Sequence, residues 1–216
     1  MVYKTIIWDW NGTLLNDVSV CIGSMNKMLS QRGLPLLNEH RYRQIFTFPV
    51  KDYYDQLGFD DNKDPFEEIG LEFIRYFRES LPGVPLQEGA KNILAKIKAD
   101  GHRQVILSAM EHQSLIKNVR HFQIDHWFDS IIGIDNDYGG GKSHLVQKIK
   151  DIHSIAPDEC LMIGDTLHDA EVALQAGWNC ALTASGHQSY NRLLVAGVPV
   201  FHDLNEIGIW LSSLQD

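Results

Sequence analysis

The sequence predicts an α/β protein, a doubly wound parallel sheet with a helical cap inserted after the first strand. Three observations predict it. Short apolar runs recur along the 216 residues; helical patterns alternate with the later runs; and one long gap after the first run holds amphipathic helices in place of a strand.

The elements follow in order. Ile6-Ile7-Trp8 reads as a buried parallel strand that ends at Asp9. From Asn16 to Pro82 the strand pattern stops. There Val18, Ile22, Met25 and Leu29 recur at helical spacing, and so do Phe66, Ile69, Phe73, Phe77 and Leu81. Asp64-Pro65-Phe66-Glu67 offers an N-cap, a proline at N1 and an acid at N3. Residues 16–82 are therefore expected to form the cap, returning through Leu81 to Pro85, and 1–15 with 83–216 the core. Beyond Gly89 the alternation resumes. Helical patterns at Asn92–Ala99, Gln113–Phe122, Ser143–Ile152 and Asp169–Ala176 separate strands at Val105–Leu107, Ile131–Ile134 and Leu161–Ile163. Weaker strand signals close the chain at Cys180–Thr183 and Val198–Phe201.

Composition narrows the function. Hydrophobic residues at 44% and charged residues at 22% describe a globular protein with a core large enough to bury a site. A net charge of -9 argues against nucleic acid as a partner. It also requires that any anionic ligand find positive charge locally. Cys21, Cys160 and Cys180 are too widely spaced for a CxxC site, and Cys160 and Cys180, in or beside apolar runs, read as small core residues. The run into Asp9 reads as a strand and not as a signal peptide, and no apolar run approaches the roughly 20 residues that span a bilayer. A cytoplasmic protein without a membrane partner is expected, either monomer or homodimer.

Three of the four clear strands end in a polar residue: Asp9, Ser108 and Asp165. Ligands of open parallel sheets bind at the carboxyl ends of the strands, where these groups would converge. Lys142 opens a helix on the same side. Two acids suit a hard cation, and a hydroxyl with a lysine suits phosphate oxygens, so the set points to phosphoryl transfer. Gly139-Gly140-Gly141-Lys142-Ser143 is not a phosphate-binding GxxxxGK[ST] loop, because Asn136 stands where glycine is needed.

In this order the residues resemble the motifs of the haloacid dehalogenase superfamily. Asp9-Trp10-Asn11-Gly12-Thr13 resembles DxDxT, Ser108 and Lys142 resemble the second and third motifs, and Gly164-Asp165-Thr166-Leu167-His168-Asp169 resembles GDxxxD. The resemblance runs from residue 5 to about 187. It is nearest to the C1-capped, phosphoglycolate phosphatase-like members. It implies a Rossmann-like core, Mg²⁺ as cofactor and a small phosphorylated metabolite as substrate. It further implies that Asp9 is the nucleophile, forming an aspartyl-phosphate. Asp9, Asp165, Asp169 and the backbone carbonyl of Asn11 would surround the metal, Asp169 from outside. Thr13, Ser108, Ala109 and Lys142 would bind the phosphoryl group.

The family's second motif I acid is Asn11 here. An amide cannot move the proton that a leaving alkoxide needs, help typically worth about 10²–10⁴ in rate. His168 or the cap groups His40, Arg41 and Arg43 would then have to substitute, or the substrate would carry a good leaving group such as an acyl or aryl phosphate; His187, after Gly186 near a strand end, is expected to approach the site. Two alternatives follow. One is a phosphonoacetaldehyde hydrolase-like enzyme, whose motif reads DWAGT and whose Schiff-base lysine would have to come from Lys27, Lys51 or Lys63. The other is a metal- and phosphate-binding relative of low turnover. Deamidation at Asn11-Gly12 would restore the missing acid. Phe46 and Phe48 are expected to close the cap's own small core.

Overall fold

The computed structural model describes residues 3–135, 142–153 and 156–214. Asn136 and the glycines 139–141, which decide the phosphate-loop comparison, lie outside them. The six described strands are β1 (Thr5–Trp8), β2 (Arg103–Glu111), β3 (Ser130–Ile134), β4 (Cys160–Gly164), β5 (Asn179–Thr183) and β6 (Val200–Phe201). All pair in parallel, in the order β3-β2-β1-β4-β5-β6. The α/β class and the doubly wound sheet are thus as the sequence predicts. The last strand is shorter than Val198–Phe201: Pro199 offers no N–H to a ladder, and only Val200 and Phe201 pair.

Alternation along the strands builds two apolar layers. Ile6 and Trp8 of β1 face one side with Ile106, Leu161 and Ile163, and meet α5 (Ala90–Ala99) and α10 (Leu204–Ser213). Ile7 faces the other side with Val105, Leu107 and Met162, against α7 (Val146–His153) and α8 (Leu167–Ala176). Both faces of β1 are dry, so its sequence is a continuous apolar run and not an alternating one. Helix α6 (His112–His121) follows β2 directly, and α9 (Tyr190–Leu193) precedes β6.

Four helices follow β1 before the sheet resumes: α1 (Val18–Gln31), α2 (Glu39–Ile45), α3 (Val50–Leu57) and α4 (Phe66–Ser80). They pack on a third cluster of their own, around Met25, Met28, Leu29, Tyr42, Leu57 and Phe77. The chain enters and leaves this unit side by side. Asn16 N–H donates to Pro85 O at 2.9 Å, and Gln87 N–H to Leu14 O at 2.8 Å. The start of α4 differs from expectation: Pro65 is the N-cap, and the Asp64 carboxylate caps nothing, binding Arg32 at 2.7 Å instead. Arg32 also holds Glu72 at 2.7 Å, and a bidentate cation outcompetes a cap bond.

Candidate active site

The three central strands bring their C-terminal residues to one rim. β1 lies between β2 and β4, and Trp8 is in register with Ile106 on one side and Ile163 on the other. Asp9, Ser108 and Asp165 follow within two residues of that row. Asp9 continues the ladder by donating its N–H to Ile163 O at 2.9 Å. All three side chains are buried.

Lys142, 2% exposed, joins them from the N-terminus of the turn that leads into α7. Its ammonium contacts Asp9 Oδ1, lies 2.7 Å from Asp169 Oδ1 and donates to Leu107 O at 3.1 Å. A buried lysine survives only when paired in this way. Burial opposes its charge, but the two carboxylates hold its pKa above the ordinary range. Asp169 sits in the first turn of α8 and closes a capping box with Thr166. Its Oδ2 accepts from Asp165 N–H at 3.1 Å, Thr166 N–H at 2.9 Å and Thr166 Oγ1 at 2.7 Å. Both oxygens of Asp169 are thereby engaged.

Asp165 accepts from Thr13 Oγ1 at 3.0 Å and from His187 N–H at 2.6 Å. Thr13, expected to bind substrate, is fully buried and outside the cavity, because its hydroxyl is turned onto Asp165. Ser108 and Ala109 do line the cavity. Ser108 Oγ accepts from Met110 N–H at 3.0 Å, a bond that leaves its own proton unused. Gly12, at φ +77°, lets the chain pass so close to Asp165 and His187 that a Cβ would overlap both.

The cluster fits a hard cation. Oxygens of Asp9, Asp165 and Asp169 all lie within 4.8 Å of one another, in a buried setting with one lysine. Burial, with the neighbouring acids, pushes Asp9 up to about 8 despite Lys142. Burial pushes Asp165 up to about 6, against the pull of His187. Burial acts on Asp169 too, but Lys142 and the Thr166 bonds outweigh it and hold its pKa below the usual carboxylate range. Crowded carboxylates that resist ionisation are what an oxygen-seeking divalent ion neutralises.

Asn11 points elsewhere. Its amide Nδ2 donates to Asp17 Oδ2 at 2.7 Å, and Gly12 N–H donates to Asp17 Oδ1 at 2.8 Å. Asp17 is fully buried, and His187 Nε2 lies 3.4 Å from its Oδ1. The other ring nitrogen of His187 pairs with Tyr42 OH at 2.8 Å. Burial alone would raise Asp17 and lower His187. Their mutual attraction reverses both, with Asp17 held below its ordinary value and His187 raised to about 9.

The cap closes over this rim. The cavity between them has a volume of about 190 Å³, with Asp9, Ser108, Lys142 and Asp165 on its floor. Phe46 and Phe48 lie on its wall and meet histidines of the core side: Phe46 lies 5.1 Å from His187, and Phe48 stacks on His168 at 4.7 Å. Phe46 also packs on the cap's own cluster, as expected, whereas Phe48 is not part of it and serves the cavity. His168 and His187 line the cavity; His40, Arg41 and Arg43 do not. Arg43 instead donates to Ala184 O at 2.7 Å and Ser185 O at 3.2 Å. Lys27, Lys51 and Lys63 also lie outside the lining, paired with Glu79, Asp55 and Asp60 respectively.

Residues 6–183 match the family model of haloacid dehalogenase-like hydrolases. The chain belongs to that family. The hydrolase is 26% identical to a 5'-nucleotidase of Pseudomonas aeruginosa over 200 residues, covering 88% of this chain and 87% of that one. Its fold is shared by a haloacid dehalogenase-like family hydrolase from Streptococcus pneumoniae, at a TM-score of 0.82 and 19% identity, over 97% of this chain and 99% of the other. A predicted phosphoglycolate phosphatase from Haemophilus somnus superposes at a TM-score of 0.76 and 19% identity, over 96% and 97%. The chain is therefore an enzyme of the haloacid dehalogenase-like hydrolase family.

Sequence reasoning missed Asp17, Tyr42 and Tyr53 in this hydrolase. Asp17 stands just before α1 and reads as its N-cap, yet makes no cap bond because its carboxylate turns back to Asn11 and Gly12. Tyr42 and Tyr53 sit on short helices whose aromatic content reads as packing alone.

Proposed function

We propose that this hydrolase is a Mg²⁺-dependent phosphatase, cleaving a small phosphorylated metabolite through an aspartyl-phosphate on Asp9. The observation that carries the proposal is the Lys142 ammonium gripped between Asp9 and Asp169, beside Asp165, on the floor of a cap-covered cavity. Asp9 Oδ attacks phosphorus, and the bond to the leaving oxygen breaks. Lys142 holds the nucleophile in place and offsets the charge that collects as the phosphoryl group arrives. Ser108 and Ala109 take phosphoryl oxygens. Asp9, Asp165 and the Asn11 carbonyl would hold Mg²⁺, with Asp169 set behind them by its four bonds to Lys142, Thr166 and Asp165. When bound, Mg²⁺ supplies positive charge to the phosphoryl oxygens. Water then cleaves the acyl phosphate and returns Asp9 as a carboxylate, while the cap limits access of bulk water.

The proposed setting is the cytoplasm, with a monomeric or homodimeric protein and neither nucleic acid nor membrane as partner. Three buried unpaired cysteines support a reducing compartment. No described helix is long and apolar enough to cross a membrane. The Schiff-base reading loses support because no cap lysine lines the cavity. The low-turnover reading keeps one specific support, that Asn11 carries no transferable proton.

The test is Mg²⁺-dependent release of phosphate from acetyl phosphate, with acid-quenched protein digested to locate a phosphoryl adduct. We expect the adduct on the peptide containing Asp9 and complete loss of turnover in Asp9→Asn. Full activity in that variant would overturn the proposal; binding of Mg²⁺ and phosphate without turnover would favour the low-turnover relative.

A further inference from the structure

Resting on the phosphatase reading above, we infer that the leaving group is an apolar aromatic ring joined directly to the phosphate oxygen: the substrate is an aryl phosphate. Two independent observations meet here.

The first is the wall of the cavity. Above the Asp9 floor it is lined by Phe46, Phe48, Tyr53, Tyr54, Phe73 and Phe77, all from the cap. Phe46 meets Phe48 and Tyr53 edge-on at 5.6 and 5.4 Å, the arrangement that presents ring faces and edges to a further ring. Polar groups on the wall are few: His187 is taken up by Asp17 and Tyr42, and His168, stacked on Phe48, keeps its Nε2 buried without a hydrogen-bond partner. Among the described lining residues Lys142 is committed to two acids, and Arg78 donates to Ser114 Oγ and lies near Glu111. The Tyr53 hydroxyl, on a side chain only 2% exposed, has no hydrogen-bond partner although the residue lines the cavity.

The second is Asn11. Its amide is locked onto Asp17 and offers no proton to the departing oxygen. An alkoxide cannot leave easily without that proton. An aryl oxide can, since phenols ionise near a pKa of about 10, as tyrosine does. The balance is simple. Asp9 forms its bond to phosphorus as the aryl oxygen departs with the bonding pair and takes a proton from solvent water. A second water splits the aspartyl-phosphate. The net change is aryl phosphate plus water to phenol plus inorganic phosphate. The residue that withholds a proton from an alkyl leaving group and the aromatic wall of the cap thus point to one substrate class.

The experiment compares kcat/KM for 2-naphthyl phosphate, phenyl phosphate, acetyl phosphate, 2-phosphoglycolate and adenosine 5'-monophosphate. We expect both aryl esters to exceed the two alkyl esters by about 100-fold, the scale of lost acid catalysis. Naphthyl should exceed phenyl by about tenfold, from the added apolar area buried. Phe48→Leu should lower the ratio of naphthyl to acetyl phosphate turnover about fivefold or more, and Phe73→Leu provides a second wall variant should the first fold poorly. Equal or faster hydrolysis of either alkyl ester overturns the inference. So does naphthyl phosphate no better than phenyl phosphate. Asp9-dependent hydrolysis of acetyl phosphate without aryl preference would sink the substrate class and leave the phosphatase reading standing. Failure on every compound, acetyl phosphate included, would sink that reading itself.

Discussion

Asn11 and Asp17 are best understood as a pair. The amide of one and the carboxylate of the other meet at 2.7 Å in a buried site, with Gly12 N–H and His187 completing the acid's shell. Substituting Asp for Asn11, the obvious repair of the missing acid, would set two carboxylates against each other where an amide now donates. We expect Asn11→Asp alone to lose about 1–3 kcal/mol of stability and gain little activity. Adding Asp17→Asn removes the repulsion, and the double variant should regain stability and raise alkyl ester turnover by about 10² or more. Urea unfolding and a steady-state assay on the four proteins of the cycle decide it; a stable, fully active single Asn11→Asp would refute the pairing. The same bonds bear on deamidation. The attacking atom would be Gly12 N, which is held by Asp17 Oδ1 at 2.8 Å and by Leu15 O at 3.0 Å. The amide should therefore persist, as peptide mass spectrometry would show.

At the scale of elements, the short helix α2 carries more than its length suggests. It delivers Tyr42 to His187 and Arg43 to the carbonyls of Ala184 and Ser185, so that cap and core meet through named polar bonds. Phe46, just past its end, accepts from Gln188 Nε2 at 2.9 Å and also from Arg192. Tyr42→Phe keeps the ring packing and leaves a buried histidine nitrogen without its partner. We expect it to cost about 1–3 kcal/mol in urea unfolding, where an exposed tyrosine would cost almost nothing. Helices α2 and α3 were also the least legible part of the chain. Their seven and eight residues mix charges with aromatics, too short to repeat an apolar stripe. By contrast α1 and α4, at 14 and 15 residues, advertise theirs through Met25 and Leu29, and through Phe73 and Phe77. The strands were legible because the core buries them on both faces, which leaves unbroken runs such as Ile6-Ile7-Trp8. Asp9, Ser108 and Asp165 were legible because they end or follow such runs, and Lys142 because it opens a helical pattern after three glycines. Asp17, Tyr42 and Tyr53 were not, since their significance lies in partners distant along the chain.

The whole molecule concentrates negative charge where it is hardest to solvate. Three carboxylates are buried together, only two of them paired with Lys142, and Asp9 and Asp165 are pushed towards protonation by burial. A divalent ion binding there relieves the folded state and not the unfolded chain. We expect Mg²⁺ to raise the thermal midpoint and chelation to lower it, by mass action worth about 2.7 kcal/mol at 100 times the dissociation constant. Calorimetry with and without chelator gives a readout independent of turnover. An unchanged midpoint on saturating Mg²⁺ would argue that Lys142 alone suffices for the cluster.

The central place of β1 has a bearing on how the enzyme comes into being. This strand is made before the other described strands, and both of its edges stay unpaired until Arg103 and then Cys160 have been translated. Its dry, apolar sequence is therefore a hazard during synthesis, the kind of segment that chaperones shield. The nucleophile it carries stays without Lys142 and Asp165 throughout that interval, so a truncated or nascent polypeptide holds no working site to release prematurely.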